Sequence, residues 1–262
     1  MEYTQLRLSC EDHIASIVMD NPKTLNGLDE LMAAQLSDAF AECERDEDVR
    51  VIILSGAGRA FCGGGDISFF MREAKDPNFS LAPLVSALTA LTVQMKKCPK
   101  PVICAVHSAA AGGGCNLAFA ADVIVAANNA RFIQAFVNIG LAPDTGGCYW
   151  LPRIIGPARA FEMFATGRPV MADEALKLGL VTEICAPEEL MDKAMASAKK
   201  FAAGPGVVYA NIKKMMFASM CAGIESFMSV ETASQDECCK TEDFIEGITA
   251  FTEKRKPEFK GR

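Results

Sequence analysis

The chain has 262 residues, half of them apolar, which is enough for a sizeable core and for one large domain or a domain with a small appendage. Its 26 Lys and Arg against 33 Asp and Glu leave a net charge of −7, which argues against a nucleic-acid surface. No run nears the roughly 18 unbroken apolar residues of a membrane helix, and the start "MEYTQLRLSCEDH" lacks a basic-then-apolar leader, so a cytoplasmic protein beginning at Met1 is expected.

In chain order, short β-branched runs alternate with helical patterns, the signature of an α/β fold. "HIASIVMD" reads as a strand ending at the breaker "NPK". Asn26 followed by Asp29 reads as the cap of a helix whose face carries Leu28, Leu31, Met32, Leu36 and Phe40. "VRVIILSGAG", "PKPVICAVH" and "ADVIVAAN" are further buried strands. The first two run through small residues into Gly-Gly-Gly and then a helix, with Gly63 and Gly112 starting the two glycine runs, an internal strand-turn-helix repeat. From about Pro187 the pattern turns helical, dividing the chain into an α/β core over 1–190 and a C-terminal helical region over 191–262, expected to make subunit contacts.

Glycine is needed where the backbone takes positive φ or where another group must come close. At a helix start it leaves amides facing outward at the positive end of the dipole. Two matching turns let two amides converge on one oxygen, which is the geometry of an oxyanion hole. Neither turn has the spacing of the common nucleotide-phosphate loops. The eleven cysteines form no Cys-x-x-Cys pair, and Cys62, Cys104, Cys115 and Cys185 sit in apolar segments, so reduced, buried thiols are expected. With only His13 and His107 available, far from the adjacent Cys238 and Cys239, no metal site is expected.

"NPKTLNGLD", "VRVIILSGAGRAFCGGGDI", "KPVICAVHSAAAGGGCNLAFAADVIVAANNARF", the long stretch from "IGLAPDTGGCYW" to "ALKLGLV", and "EGITAFTEKRKPEF" together resemble the crotonase superfamily, the enoyl-CoA hydratase/isomerase family, over nearly the whole chain. The resemblance implies a spiral of ββα repeats with a C-terminal helical region, acyl-CoA thioester substrates, and a homotrimer or dimer of trimers. It implies no cofactor, coenzyme A being part of the substrate. It places Gly65 and Gly113 as the two amide donors to the thioester oxygen. Around the substrate it sets Lys23, Gly63, Asp66, Ile67, Asn116 and Phe136, with Lys254, Arg255 and Lys256 as further candidates for the CoA phosphates. Asp66 also fits an ordinary N-terminal helix charge, Asn116 a helix cap, His107 a structural histidine, and the tail cations the end of a C-terminal helix.

Hydratases of that family use two glutamates. This chain has Asn116 at the first position and Phe136 at the second, and neither is a base. The acid that remains is Asp144 in "LAPDTGG", at a turn where the resemblance is to double-bond isomerases, including the epoxide-CoA isomerases of phenylacetate breakdown. Isomerisation needs only one base, which removes a proton from one carbon and returns it to another. Leu141, Ala142, Phe136 and Trp150 are expected to supply an apolar setting that raises its pKa, and Ile67 to Leu91 to border an acyl pocket. Asp144 also fits the cap of a helix starting at Thr145. The alternatives are a hydratase-type enzyme, an aryl-CoA dehalogenase using Asp144 as nucleophile, with Phe136 where such enzymes carry a tryptophan, and a non-catalytic binding relative.

Overall fold

The computed structural model describes residues 2–73, 75–221, 235 and 240–262. Its layering follows from alternation along the strands: in β3 (Val51–Gly56), Val51 and Ile53 face one core cluster while Ile52 and Leu54 face another. A strand buried on both faces must be apolar throughout, which is why "VIIL" shows no alternation. β3 lies inside a six-stranded sheet of order β1 (Leu6–Glu11), β2 (Ile14–Met19), β3, β4 (Val102–Val106), β6 (Val123–Ala127), β9 (Glu183–Cys185), in which only the β1–β2 pair is antiparallel.

On one face lie α1 (Glu30–Arg45) and α3 (Ala82–Lys97). α1 turns Met32, Leu36, Ala39, Phe40 and Cys43 inward at helical spacing, and burying a side chain the size of Leu or Phe contributes about 1.5–3 kcal/mol. Its cap is Asp29, whose Oδ1 accepts the Met32 N–H at 2.7 Å, while Leu28 precedes the helix and Leu31 faces outward. Asn26 is instead a buried clamp: its Nδ2 donates to the carbonyls of Ala57, Ala60 and Phe61, tying the strand-to-glycine turn to the "NPK" segment.

α8 (Leu190–Ala202) covers the other face, setting Ala194, Ala198 and Ala202 against Val51, Ile53, Ile103 and Val125. Residues 191–202, read from sequence as the start of a separate helical region, thus complete the α/β core, because a two-faced sheet needs a cover on each side. α9 (Gly206–Cys221) is anchored by the buried Lys213, whose Nζ donates to Met95 O, Lys100 O and, at 2.5 Å, Asp122 Oδ2. A helix follows at Glu242–Glu253; much of the helical reading between these two, with Cys238 and Cys239, lies outside the described residues.

The chain winds so that each turn adds to both the large sheet and a smaller one of order β5 (Ala109–Ala111), β7 (Arg131–Ile133), β8 (Pro169–Met171). β4 leads through β5 to α4 (Gly113–Phe119); β6 leads through β7 to α5 (Gly147–Ile155) and α6 (Pro157–Thr166). β3 does the same in shorter form, since Cys62 bridges Ala110 in parallel before α2 (Ile67–Glu73). The two glycine runs therefore come together because they occupy equivalent places on adjacent turns of the spiral.

Candidate active site

Main-chain bonds lock the two glycine segments edge to edge: Phe61 N–H donates to His107 O, Cys62 N–H to Ala109 O and Ala111 N–H to Cys62 O. At Gly64, with φ +93°, a Cβ would sit 2.8 Å from Ala111 O, so a side chain would drive the strands apart. Gly112, at φ +49° and ψ −125°, starts α4 from a conformation that only glycine adopts readily.

Among the described residues, the N–H groups of Gly65 and Gly113 have no main-chain acceptor. Leu28 makes a parallel bridge to Gly65, but its bonds run to Gly64 O and from Asp66 N–H, so the Gly65 N–H lies outside the ladder. Gly113 is the first residue of α4, where the N–H has no acceptor within the helix, whereas the Gly112 N–H is taken by Ile133 O. Gly65 and Gly113 both line a cleft of about 700 Å³, including its open mouth.

Ile67, Phe70, Leu84, Leu88, Phe136, Ile139 and Leu141 form much of the rest of its wall, the first four from the segment Ile67 to Leu91. The Phe70 ring lies so close to Gly65 that a Cβ there would come within 2.4 Å of it, and the Phe136 ring edge is 3.7 Å from a Cβ built on Gly112. Among the described residues that line it, Asp144 alone is titratable.

Asp144 is half-buried, and the loss of water raises its carboxyl pKa above the ordinary range, opposed by the Thr145 hydroxyl, which donates to its Oδ1 at 2.7 Å. That Oδ1 lies 3.6 Å from a Cβ built on Gly113, so the carboxylate sits against the start of α4. Its side chain caps no helix: α5 begins at Gly147, and the Asp144 main-chain carbonyl accepts the Gly147 N–H at 2.8 Å. Thr145 is fully buried at φ +52°, a strained setting for a β-branched residue.

Several residues expected around a substrate stand elsewhere. Asn116 is fully buried behind the cleft, its Nδ2 donating to Asp144 O and its Oδ1 accepting from Gln134 Nε2, so it neither caps α4 nor reaches the cleft wall. Asp66 caps α2, its Oδ1 accepting the N–H groups of Ser68 and Phe69 at 2.8 and 3.3 Å. Gly63 lines the cleft while its N–H is used by Leu25 O. Lys23 is exposed on the 3-10 turn Pro22–Thr24, next to the Leu25 that packs on Gly63, and is outside the wall.

Trp150 lies behind the site with its Nε1–H on Thr92 Oγ1, and Ala142 is exposed, so the apolar setting of Asp144 comes from Phe136 and Leu141 without them. Arg255 pairs with Glu246 and Glu253 of its own segment, leaving its guanidinium engaged. His107 sets its Nε2 3.1 Å from Gly58 O, the structural role. No group of three His, Cys, Asp or Glu suited to a metal ion occurs among the described residues. None of their helices is long and apolar enough to cross a membrane. Sequence reasoning missed Thr145 and Gln134, whose partners are set by tertiary contact rather than by spacing.

The enoyl-CoA hydratase/isomerase family model matches residues 9–262. A Rhodobacter capsulatus protein named "probable enoyl-CoA hydratase" is 38% identical over 100% of both chains. The 1,2-epoxyphenylacetyl-CoA isomerase of Escherichia coli is 34% identical, covering 96% of this chain and 97% of its own. A crystal structure of an enoyl-CoA hydratase subunit from Geobacillus kaustophilus superposes with a TM-score of 0.92 at 35% identity over 100% of both chains.

Proposed function

The chain belongs to the enoyl-CoA hydratase/isomerase family, with the crotonase fold, and from that premise and its cleft we propose that it is an acyl-CoA isomerase with a single acid/base, Asp144. The carboxylate removes a proton from the carbon beside the thioester carbonyl. Negative charge moves onto the carbonyl oxygen, where the N–H groups of Gly65 and Gly113 receive it, each such donor being worth about 3 kcal/mol in related acyl chemistry. Asp144 then returns the proton two carbons further along, and the double bond has moved. The raised pKa suits this double duty, since a carboxyl pulled toward the working pH is both a stronger base and a retrievable acid.

The observation that carries the reading is the chemistry of the wall: one carboxylate against the start of α4, and otherwise apolar groups and glycine main chain with one exposed amide, Asn138. Hydration in this family's two-acid manner has no second acid here, with Phe136 in the wall and Asn116 behind it. The Phe70 and Phe136 rings favour an apolar or cyclic acyl group, so a ring-epoxide thioester belongs in the substrate screen alongside 3-enoyl thioesters. A homotrimer or dimer of trimers is the assembly proposed.

The test follows conjugated-thioester absorbance with 3-enoyl-CoA, 2-enoyl-CoA and ring-epoxide thioesters. Parent protein shifts the absorbance of a 3-enoyl or ring-epoxide substrate. Asp144→Asn folds and binds acyl-CoA but loses turnover roughly a hundredfold or more. Retained turnover ends the proposal, an acid-labile covalent adduct on Asp144 supports the dehalogenase alternative, and no acyl-CoA affinity supports the non-catalytic one.

A further inference from the structure

We propose that Asn116 and Gln134 are positioning residues for Asp144: a buried amide relay that holds the strained Asp144–Thr145 backbone against α4, aiming the carboxylate at the space in front of the Gly113 N–H. The inference rests on the isomerase reading above and adds the means by which its base is held.

The relay joins three parts of the chain. Asn116 Nδ2 donates to Asp144 O at 2.8 Å, and Gln134 Nε2 donates to Asn116 Oδ1 at 2.7 Å. All three groups in the chain of bonds have their direction set by the last one. A main-chain carbonyl only accepts, so Asn116 must present its nitrogen there, its oxygen must face Gln134, and Gln134 must answer with its own nitrogen. Both amide residues are fully buried, and the Gln134 Oε1 has no protein partner among the described residues, so the relay carries a desolvation cost.

What it holds is a backbone under strain. Thr145 takes φ +52°, followed by Gly146 at φ +73°, and this turn is what sets the Thr145 hydroxyl on Asp144 Oδ1 at 2.7 Å. Loss of the Asn116 bond leaves the Asp144 carbonyl held by the Gly147 N–H alone, which lets Thr145 relax toward negative φ and carry the carboxylate with it. The room for the relay is also built in, since a Cβ on Gly147 would fall 2.2 Å from Asn116 Nδ2. Gly113 and Asn116 both belong to α4, so one rigid element carries the amide facing the substrate and the side chain steadying the base.

The test uses full-length Asn116→Ala, Gln134→Met and Asp144→Asn with 3-hexenoyl-CoA, read as kcat, KM, the pH profile of kcat/KM and circular dichroism. Asn116→Ala is expected to lower kcat about ten- to a hundredfold, the scale of a misplacement near 1 Å, with KM within about threefold. Gln134→Met, which also removes the unpartnered oxygen, is expected to lower kcat about threefold or more in the same sense. In both, the acid limb moves to lower pH, because regained water, the larger influence on this carboxyl, outweighs any loss of the Thr145 hydroxyl. A merely structural role would lower thermal stability while leaving the acid limb in place. Parent kcat and acid limb in folded Asn116→Ala, with Asp144→Asn inactive, overturn the relay alone; an active Asp144→Asn overturns the isomerase reading instead. If Asn116→Ala does not fold, Gln134→Met decides by the same readouts.

Discussion

Gly113→Ala probes the contact between α4 and the Asp144 turn without removing any hydrogen-bonding group. The added methyl would lie 2.9 Å from Thr145 Oγ1, 3.1 Å from Leu28 Cδ1 and 3.6 Å from Asp144 Oδ1. Thr145 must therefore retreat by about 0.5 Å to reach ordinary contact, and Leu28 behind it is fully buried and cannot yield freely. Overpacking of this kind costs about 1–3 kcal/mol of stability. The larger effect falls on chemistry. Retreat of Thr145 lifts its hydroxyl from Asp144 Oδ1, a bond that favours the ionised carboxylate, so the carboxyl pKa rises further and the acid limb of kcat/KM moves to higher pH. Displacement of base and donor together lowers kcat by about tenfold. Steady-state kinetics over a pH series give both quantities, and calorimetry gives the stability. Parent kcat and an unmoved acid limb, alongside lowered stability, would refute the contact between Gly113 and the base.

Three further outcomes follow from named groups. Folded Asp144 has a raised pKa, so its protonated form is the one favoured by folding; that advantage is full below about pH 4, the unfolded value, and is lost as pH rises through the folded value. Asp144→Asn is therefore more thermally stable than the parent at neutral pH, and scanning calorimetry shows the gap closing on acidification. The parent enzyme's kcat/KM falls on acidification with an acid limb above the ordinary aspartate range, because only the ionised carboxylate removes the proton. Lys213→Met removes the ion pair to Asp122 and leaves the Met95 and Lys100 carbonyls without their donor beneath α9, and lowers unfolding free energy by about 3 kcal/mol in urea titration, with kcat per folded molecule unchanged.

The parts of the site that were legible in the sequence are those whose cause is local. Continuous apolar runs such as "VIIL" and "VICAV" mark strands covered on both faces, and each glycine run marks a place where a side chain would strike the neighbouring turn. Asp144 stood out because the two positions at which the family resemblance expects glutamates hold Asn116 and Phe136. What was hidden depends on partners far along the chain. Asn116 and Asp144 are 28 residues apart, and nothing in the spacing reveals that the amide turns toward the loop's carbonyl rather than into the cleft. Thr145 has no sequence mark of its positive φ, since β-branched residues rarely adopt it. Asp66 and Asp29 look alike beside the glycine turns and helix starts, and both prove to be caps; only contact with the cleft separates such a cap from the base. Trp150 follows the Asp144 loop closely yet faces Thr92, because the start of α5 points it away from the wall.

Exchange of the carbon-bound protons beside the thioester carbonyl of a saturated acyl-CoA in deuterium oxide, followed by proton NMR, reports the first proton transfer without requiring the natural acyl group. Parent protein is expected to wash deuterium into that carbon, and Asp144→Asn to do so roughly a hundredfold or more slowly while still binding the ligand. Equal exchange by the two proteins would contradict the assignment of Asp144 as the base.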